Sequence, residues 1–152
     1  MSESKEIIDR IRTAHQDLSG NGWKYRGYSL ADHEKWRAEM TGDHALAEFD
    51  RATEYLSRCK RRKSVWKGTT SYGWKHQASH YCARRLGGDG YISNGIFIAA
   101  AIALDFKINR ISACPNCFLN ISESECYSMR GDGLFLNHHS GKWMTFEETY
   151  PQ

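Results

Sequence analysis

The chain has 152 residues, 40% hydrophobic and 26% charged, the size and mixture of one globular domain that buries about two-thirds of its unfolded surface. The longest apolar run, residues 96–104, is too short to cross a bilayer, and Met1-Ser2-Glu3-Ser4-Lys5-Glu6 lacks the features of a secretory signal, so a cytoplasmic protein is expected. The net charge of +3 hides a polarised chain: residues 1–54 carry 8 basic and 11 acidic side chains, residues 55–88 carry 9 and none, and residues 122–152 carry 2 and 5.

In chain order, the first predicted helix starts at about Ser4, an N-cap, and runs to Leu18, with Ile7, Ile8, Ile11, Ala14 and Leu18 on one face. Ser19-Gly20-Asn21-Gly22 ends it, and a loop with Trp23, Tyr25 and Tyr28 follows. Ser29 can cap a second helix that reaches Met40 and places Leu30, His33, Trp36 and Met40 together. After Thr41-Gly42-Asp43, a third helix is expected from about His44 to Lys60 or beyond, because Leu46, Phe49, Thr53 and Leu56 form one stripe. Its final turn, Arg58-Cys59-Lys60-Arg61-Arg62-Lys63, then sets cations at the negative end of the helix dipole.

Residues 72–86 read as a fourth helix closed by Gly87-Gly88-Asp89-Gly90. Ser93-Asn94-Gly95 opens a fifth, residues 96–104, which is apolar on every side and is therefore expected to be buried. Short β-prone pieces follow at 108–111, 118–121, 127–129, 134–136 and 143–146, separated by Gly, Asn and Ser clusters. The expected fold class is α+β: one domain with a helical body of about five helices over residues 1–106 and a small antiparallel β appendage over residues 107–152.

The basic segment 55–88 is the strongest chemical signal, since Lys and Arg neutralise phosphates while Trp66, Tyr72, Trp74 and Tyr81 offer faces for stacking. Its candidate contacts are Arg58, Lys60, Arg61, Arg62, Lys63, Trp66, Lys67, Trp74, Lys75, His76, His80, Arg84 and Arg85. The alternatives are an acidic protein partner or a solvated helix face. A helix-turn-helix reading of residues 72–104 fails because the second helix would present no polar side chain to base edges, which leaves backbone binding as the expected mode.

Other constellations stop short of a site. His76 and His80 have the spacing of two zinc ligands, but Gln77 stands where a metalloprotease needs Glu. Cys114-Pro115-Asn116-Cys117, with Cys126 and His138 or His139, supplies enough donors for a structural zinc ion at a spacing that poorly matches a ribbon or finger. No cofactor is expected, and a redox role for the CxxC is disfavoured because strand-like Phe118-Leu119-Asn120-Ile121 follows it. The odd total of five cysteines argues for free thiols. Neither a nucleophile elbow nor a phosphate-cradling glycine loop is visible, so an enzyme is not expected.

The stretch that opens with Thr70-Ser71-Tyr72-Gly73-Trp74-Lys75-His76, continues through Tyr91-Ile92-Ser93-Asn94-Gly95-Ile96-Phe97-Ile98-Ala99-Ala100-Ala101 and ends near Phe106 resembles small accessory proteins of bacterial phages and plasmids. The resemblance covers about 35 of 152 residues and implies a mobile-element setting, with no established function to carry over. The expected role is a non-enzymatic protein that grips nucleic acid backbone through its basic helical face. The alternatives are an inhibitor or adaptor acting on a host nucleoprotein complex, in the manner of an anti-CRISPR protein, and a small enzyme with an unrecognised site. An acidic C-terminal tail that folds over the basic face and is displaced by a partner is a further expectation.

Overall fold

The computed structural model describes residues 2–152, among which six α-helices and eight short strands form an α+β fold. Helix α1 (Glu3–Ala14) is capped two residues earlier than expected, because the Ser2 hydroxyl accepts the Lys5 amide and Glu3 and Glu6 complement the positive end of the helix. It stops at Ala14, not Leu18. Leu18 is buried in strand β1 (Leu18–Ser19), which pairs with β2 (Gly22–Trp23) in a tight hairpin. Helix α2 (Leu30–Glu39) has the expected Ser29 cap. The Arg37 guanidinium ties α2 to the end of α1 by donating to the carbonyls of Arg12, His15 and Leu18.

Helix α3 (Asp43–Arg58) carries the expected apolar stripe, including buried Phe49, Ala52, Tyr55 and Leu56. It does not continue into the cationic run. Cys59 has extended backbone, and β3 (Arg61–Trp66) is a strand, so of the expected cationic turn Arg58 alone lies in the helix. Helix α4 (Ser71–Leu86) ends at Gly87, whose φ of 86° is left-handed backbone that glycine adopts without strain. Helix α5 (Asn94–Ala103) is buried from Asn94 to Ala101, as an all-apolar helix must be.

Strands β4 (Ile108–Arg110) and β5 (Cys117–Ile121) then build an antiparallel sheet in the order β3–β5–β4. The strand-rich part therefore recruits β3 from within the helical half. A second sheet of β6 (Tyr127–Met129), β7 (Phe135–Asn137) and β8 (Trp143–Met144) follows. Phe146, expected to end a strand, instead opens the short helix α6 (Phe146–Thr149), because Thr145 and Glu148 make a reciprocal capping box.

Helix α5 is the hub, packing on α1, α3, α4 and the β1–β2 hairpin. Gly95 permits the last of these contacts: its amide donates to the Gly20 carbonyl at 3.0 Å, and a Cβ built there would lie 1.7 Å from the Ser19 carbonyl oxygen. Alanine would gain about 1 kcal/mol of helix propensity. The clash is with paired backbone, which has no rotamer to yield, and overpacking of this kind costs about 1–3 kcal/mol or more. Gly95→Ala is therefore expected to lower stability by about 2 kcal/mol in urea denaturation, and a gain in stability would refute the close contact.

Candidate functional site

The structure divides the cations of the basic segment into groups with different tasks. Arg58 donates to the Pro151 carbonyl and Arg85 to the Tyr150 carbonyl, and their guanidinium groups stand 5.4 and 5.6 Å from the centre of the Tyr81 ring. Arg84 lies 4.9 Å from the Phe146 ring centre and 3.9 Å from the Glu147 carboxylate. These three arginines hold the C-terminal segment. The expected fold-back of the tail thus exists, made by backbone carbonyls and aromatic rings together with carboxylate contacts from Glu147 and, nearer its start, Glu123 and Glu125.

The second group serves the sheet. Arg61 donates to the Leu104 carbonyl and lies 3.9 Å over the Phe106 ring, while Arg62 pairs with Glu123 at 2.9 Å. A third group is left exposed. Lys60, Lys63 and Lys67 form no ion pair among the described residues, although Glu125 accepts the Lys60 backbone amide at 3.3 Å. The Lys107 ammonium donates to the Lys63 carbonyl at 2.6 Å and so adds its charge beside β3.

Three sequence-predicted contacts are corrected by burial. Trp74 and Tyr81 are 0% exposed and offer no face to a base. Lys75 is 5% exposed, on the buried stripe of α4 beside Ser71, Ala78 and Cys82. Trp66 is half-buried, its ring centroid 6.0 Å from that of Trp74. Tyr72, His76, His80 and Arg84 do form an exposed row along α4. Tyr72 and His76 meet edge to face at 4.5 Å, and desolvation, then the neighbouring Lys75 and His80, holds the His76 pKa below the usual histidine value.

The cysteines do not converge. Cys117 opens β5, its amide bonded to the Ser71 hydroxyl at 3.1 Å, whereas Cys126 leads into β6 and His138 approaches Ser128 on the second sheet. Among the described residues no three His, Cys, Asp or Glu side chains are placed to hold a metal ion. Burial raises the thiol pKa of Cys117 to about 11 and of Cys82 to about 12, which suppresses the thiolate needed for redox exchange or nucleophilic attack.

Two clefts sharing Gly20, Asn21, Tyr91 and Ser93 were not anticipated from the sequence. The larger, about 490 Å³, is walled by Trp36, Met40, Ala45 and Ile96 and includes the buried Glu48; the smaller, about 310 Å³, is lined by Tyr72, Lys75, Asn94 and Asn116. The Lys75 ammonium lies 4.7 Å from the Tyr91 ring centre and 5.2 Å from that of Tyr72. Glu48 accepts the Ser93 amide at 2.6 Å. Tyr72, Lys75, Tyr91, Ser93 and Asn94 all come from the strip Thr70-to-His76 and Tyr91-to-Ala101, so its two halves meet here. A signal was present in the sequence: Lys75 falls at the spacing of the buried α4 residues. No protein-family model, curated protein or solved structure matches the chain.

Proposed function

We propose that this is a non-enzymatic nucleic-acid-binding protein of a mobile genetic element, which grips the phosphate backbone through the lysines of the β3 edge. The observation that carries the reading is the line of exposed, unpaired Lys60, Lys63 and Lys67 on and beside an edge strand, with Lys107 against it. Strand β3 bulges between Arg61, opposite Ile121, and Trp66, opposite Leu119, so Lys60 to Lys67 spans less than the about 23 Å of a fully extended chain and faces a few neighbouring phosphates of one DNA strand. Tyr72, 52% exposed at the start of α4, supplies an aromatic face that tolerates any base.

Edge lysines also keep a strand from pairing with another chain, a task that needs charge but no nucleic acid. Salt dependence separates the two. With four lysines on phosphates, log affinity for duplex DNA is expected to fall with log salt at a slope of about −3.6, close to a hundredfold loss between about 50 and 200 mM. Replacing Lys60, Lys63 and Lys67 with alanine is expected to bring that slope to about −1. Fluorescence anisotropy on a labelled duplex measures both, and an affinity that stays flat with salt overturns the reading.

A further inference from the structure

We propose that the joined cleft between α2, α3, α4 and α5 is a binding site for a small zwitterion of the α-amino-acid type, with Lys75 taking its carboxylate and Glu48 its ammonium. The site is separate from the lysine edge of β3 and does not rest on the nucleic-acid reading.

Lys75 and Glu48 are 5% and 9% exposed, carry opposite charges and line adjoining clefts, yet they form no ion pair with each other. Each side chain is about nine-tenths buried while lining a water-accessible cleft, so a ligand there meets a cation and a carboxylate that have no ion-pair partner among the described residues. The Lys75 ammonium has three N–H donors and no protein acceptor among the described residues; two tyrosine ring faces are its neighbours. One Glu48 oxygen takes the Ser93 amide and the carboxylate retains capacity for another donor. Desolvation lowers the Lys75 pKa and the charge of Glu48 opposes that fall, which places the Glu48 carboxylate near the ammonium without an ion-pair contact.

Asn94 fixes the wall of the smaller cleft. Its amide nitrogen is committed to the carbonyls of Asn21 and Pro115 and to the Asn116 side chain, which leaves its Oδ1 buried and without a donor among the described residues. The clefts therefore present one cationic donor, Lys75, and one carboxylate acceptor, Glu48. An anion would meet Glu48, and the Glu39 and Asp43 side chains on the rim of the larger cleft; a simple cation would meet Lys75. A molecule with both charges on neighbouring atoms satisfies each. Trp36, Met40, Ala45 and Ile96 then face its side chain, which selects an apolar one. The volumes suit a ligand of this size.

The test is isothermal titration of the full chain with L-phenylalanine, L-leucine and L-tryptophan, alongside phenethylamine and 3-phenylpropanoate, which each keep one charge. Saturable binding of an amino acid is expected, with both single-charge analogues weaker by at least about tenfold, the equivalent of one lost charged hydrogen bond. Lys75→Met and Glu48→Gln are each expected to weaken the amino acid by a similar factor, while Lys63→Ala leaves it unchanged. No saturable binding of any of the three amino acids at millimolar concentration overturns the proposal, and so do analogues that bind as well as the parent. The analogue series uses the unmodified protein, so its outcome does not depend on how the variants fold. Loss of DNA binding in the β3 lysine variant with amino-acid binding intact separates this site from the first.

Discussion

Trp74→Ala is expected to destabilise the protein by about 4 kcal/mol, within the range of about 3–5 kcal/mol for removing a buried tryptophan. Trp74 is 0% exposed on the inner face of α4, against Trp66 at 6.0 Å, and it belongs to the same core as α5 and β5. The loss is a large share of the roughly 5–15 kcal/mol that holds a domain folded. Trp74→Phe is expected to cost far less, because the indole N–H is buried with no acceptor among the described residues and its removal relieves an unsatisfied donor. Urea denaturation of both variants measures the contrast. A phenylalanine variant that folds normally yet loses single-stranded DNA affinity would reverse the assignment of Trp74 to the core.

What the sequence concealed has a common physical origin. Helix α5 was legible because nothing but Ile, Phe, Ala and Leu fills residues 96–104, and burial follows from that composition alone. Strand β3 was not legible. Arg61-Arg62-Lys63 carries no apolar alternation, and Lys and Arg favour helix when nothing else intervenes. What makes those residues a strand is pairing with β5, Arg61 opposite Ile121 and Trp66 opposite Leu119, a non-local contact that no window around residue 61 contains.

The candidate contacts failed for a related reason. Arg58, Arg61 and Arg85 are occupied by the carbonyls of Pro151, Leu104 and Tyr150, and a backbone acceptor leaves no mark in the sequence as an acidic partner would. Counting carboxylates therefore overstated how much positive charge was free. The lysines fared differently because their flexible, strongly hydrated ammonium groups have less to gain from fixed carbonyls than a planar guanidinium has. Lys75 is the exception, drawn under Tyr91 by its place on the buried stripe of α4.

The C-terminal segment yields the second large effect. Tyr150 is 5% exposed and its ring meets those of Tyr81 at 4.9 Å, Phe146 at 5.3 Å, Tyr127 at 5.8 Å, Phe135 at 6.1 Å and Tyr55 at 6.4 Å. It joins α3, α4 and the β6–β8 sheet in one aromatic cluster. Tyr150→Ala is expected to cost about 3–4 kcal/mol, by analogy with buried phenylalanine, and to lower the urea midpoint by about 2 M at the usual dependence on denaturant. Ending the chain at Thr149 is expected to cost more, since it also removes the carbonyls that Arg58 and Arg85 engage. This outcome decides between two tails. A displaceable cover would leave a truncated protein that is stable, whereas a tail built into the core leaves one that unfolds early. The burial of Phe146 and Tyr150, with Glu147 and Glu148 facing solvent, requires the second.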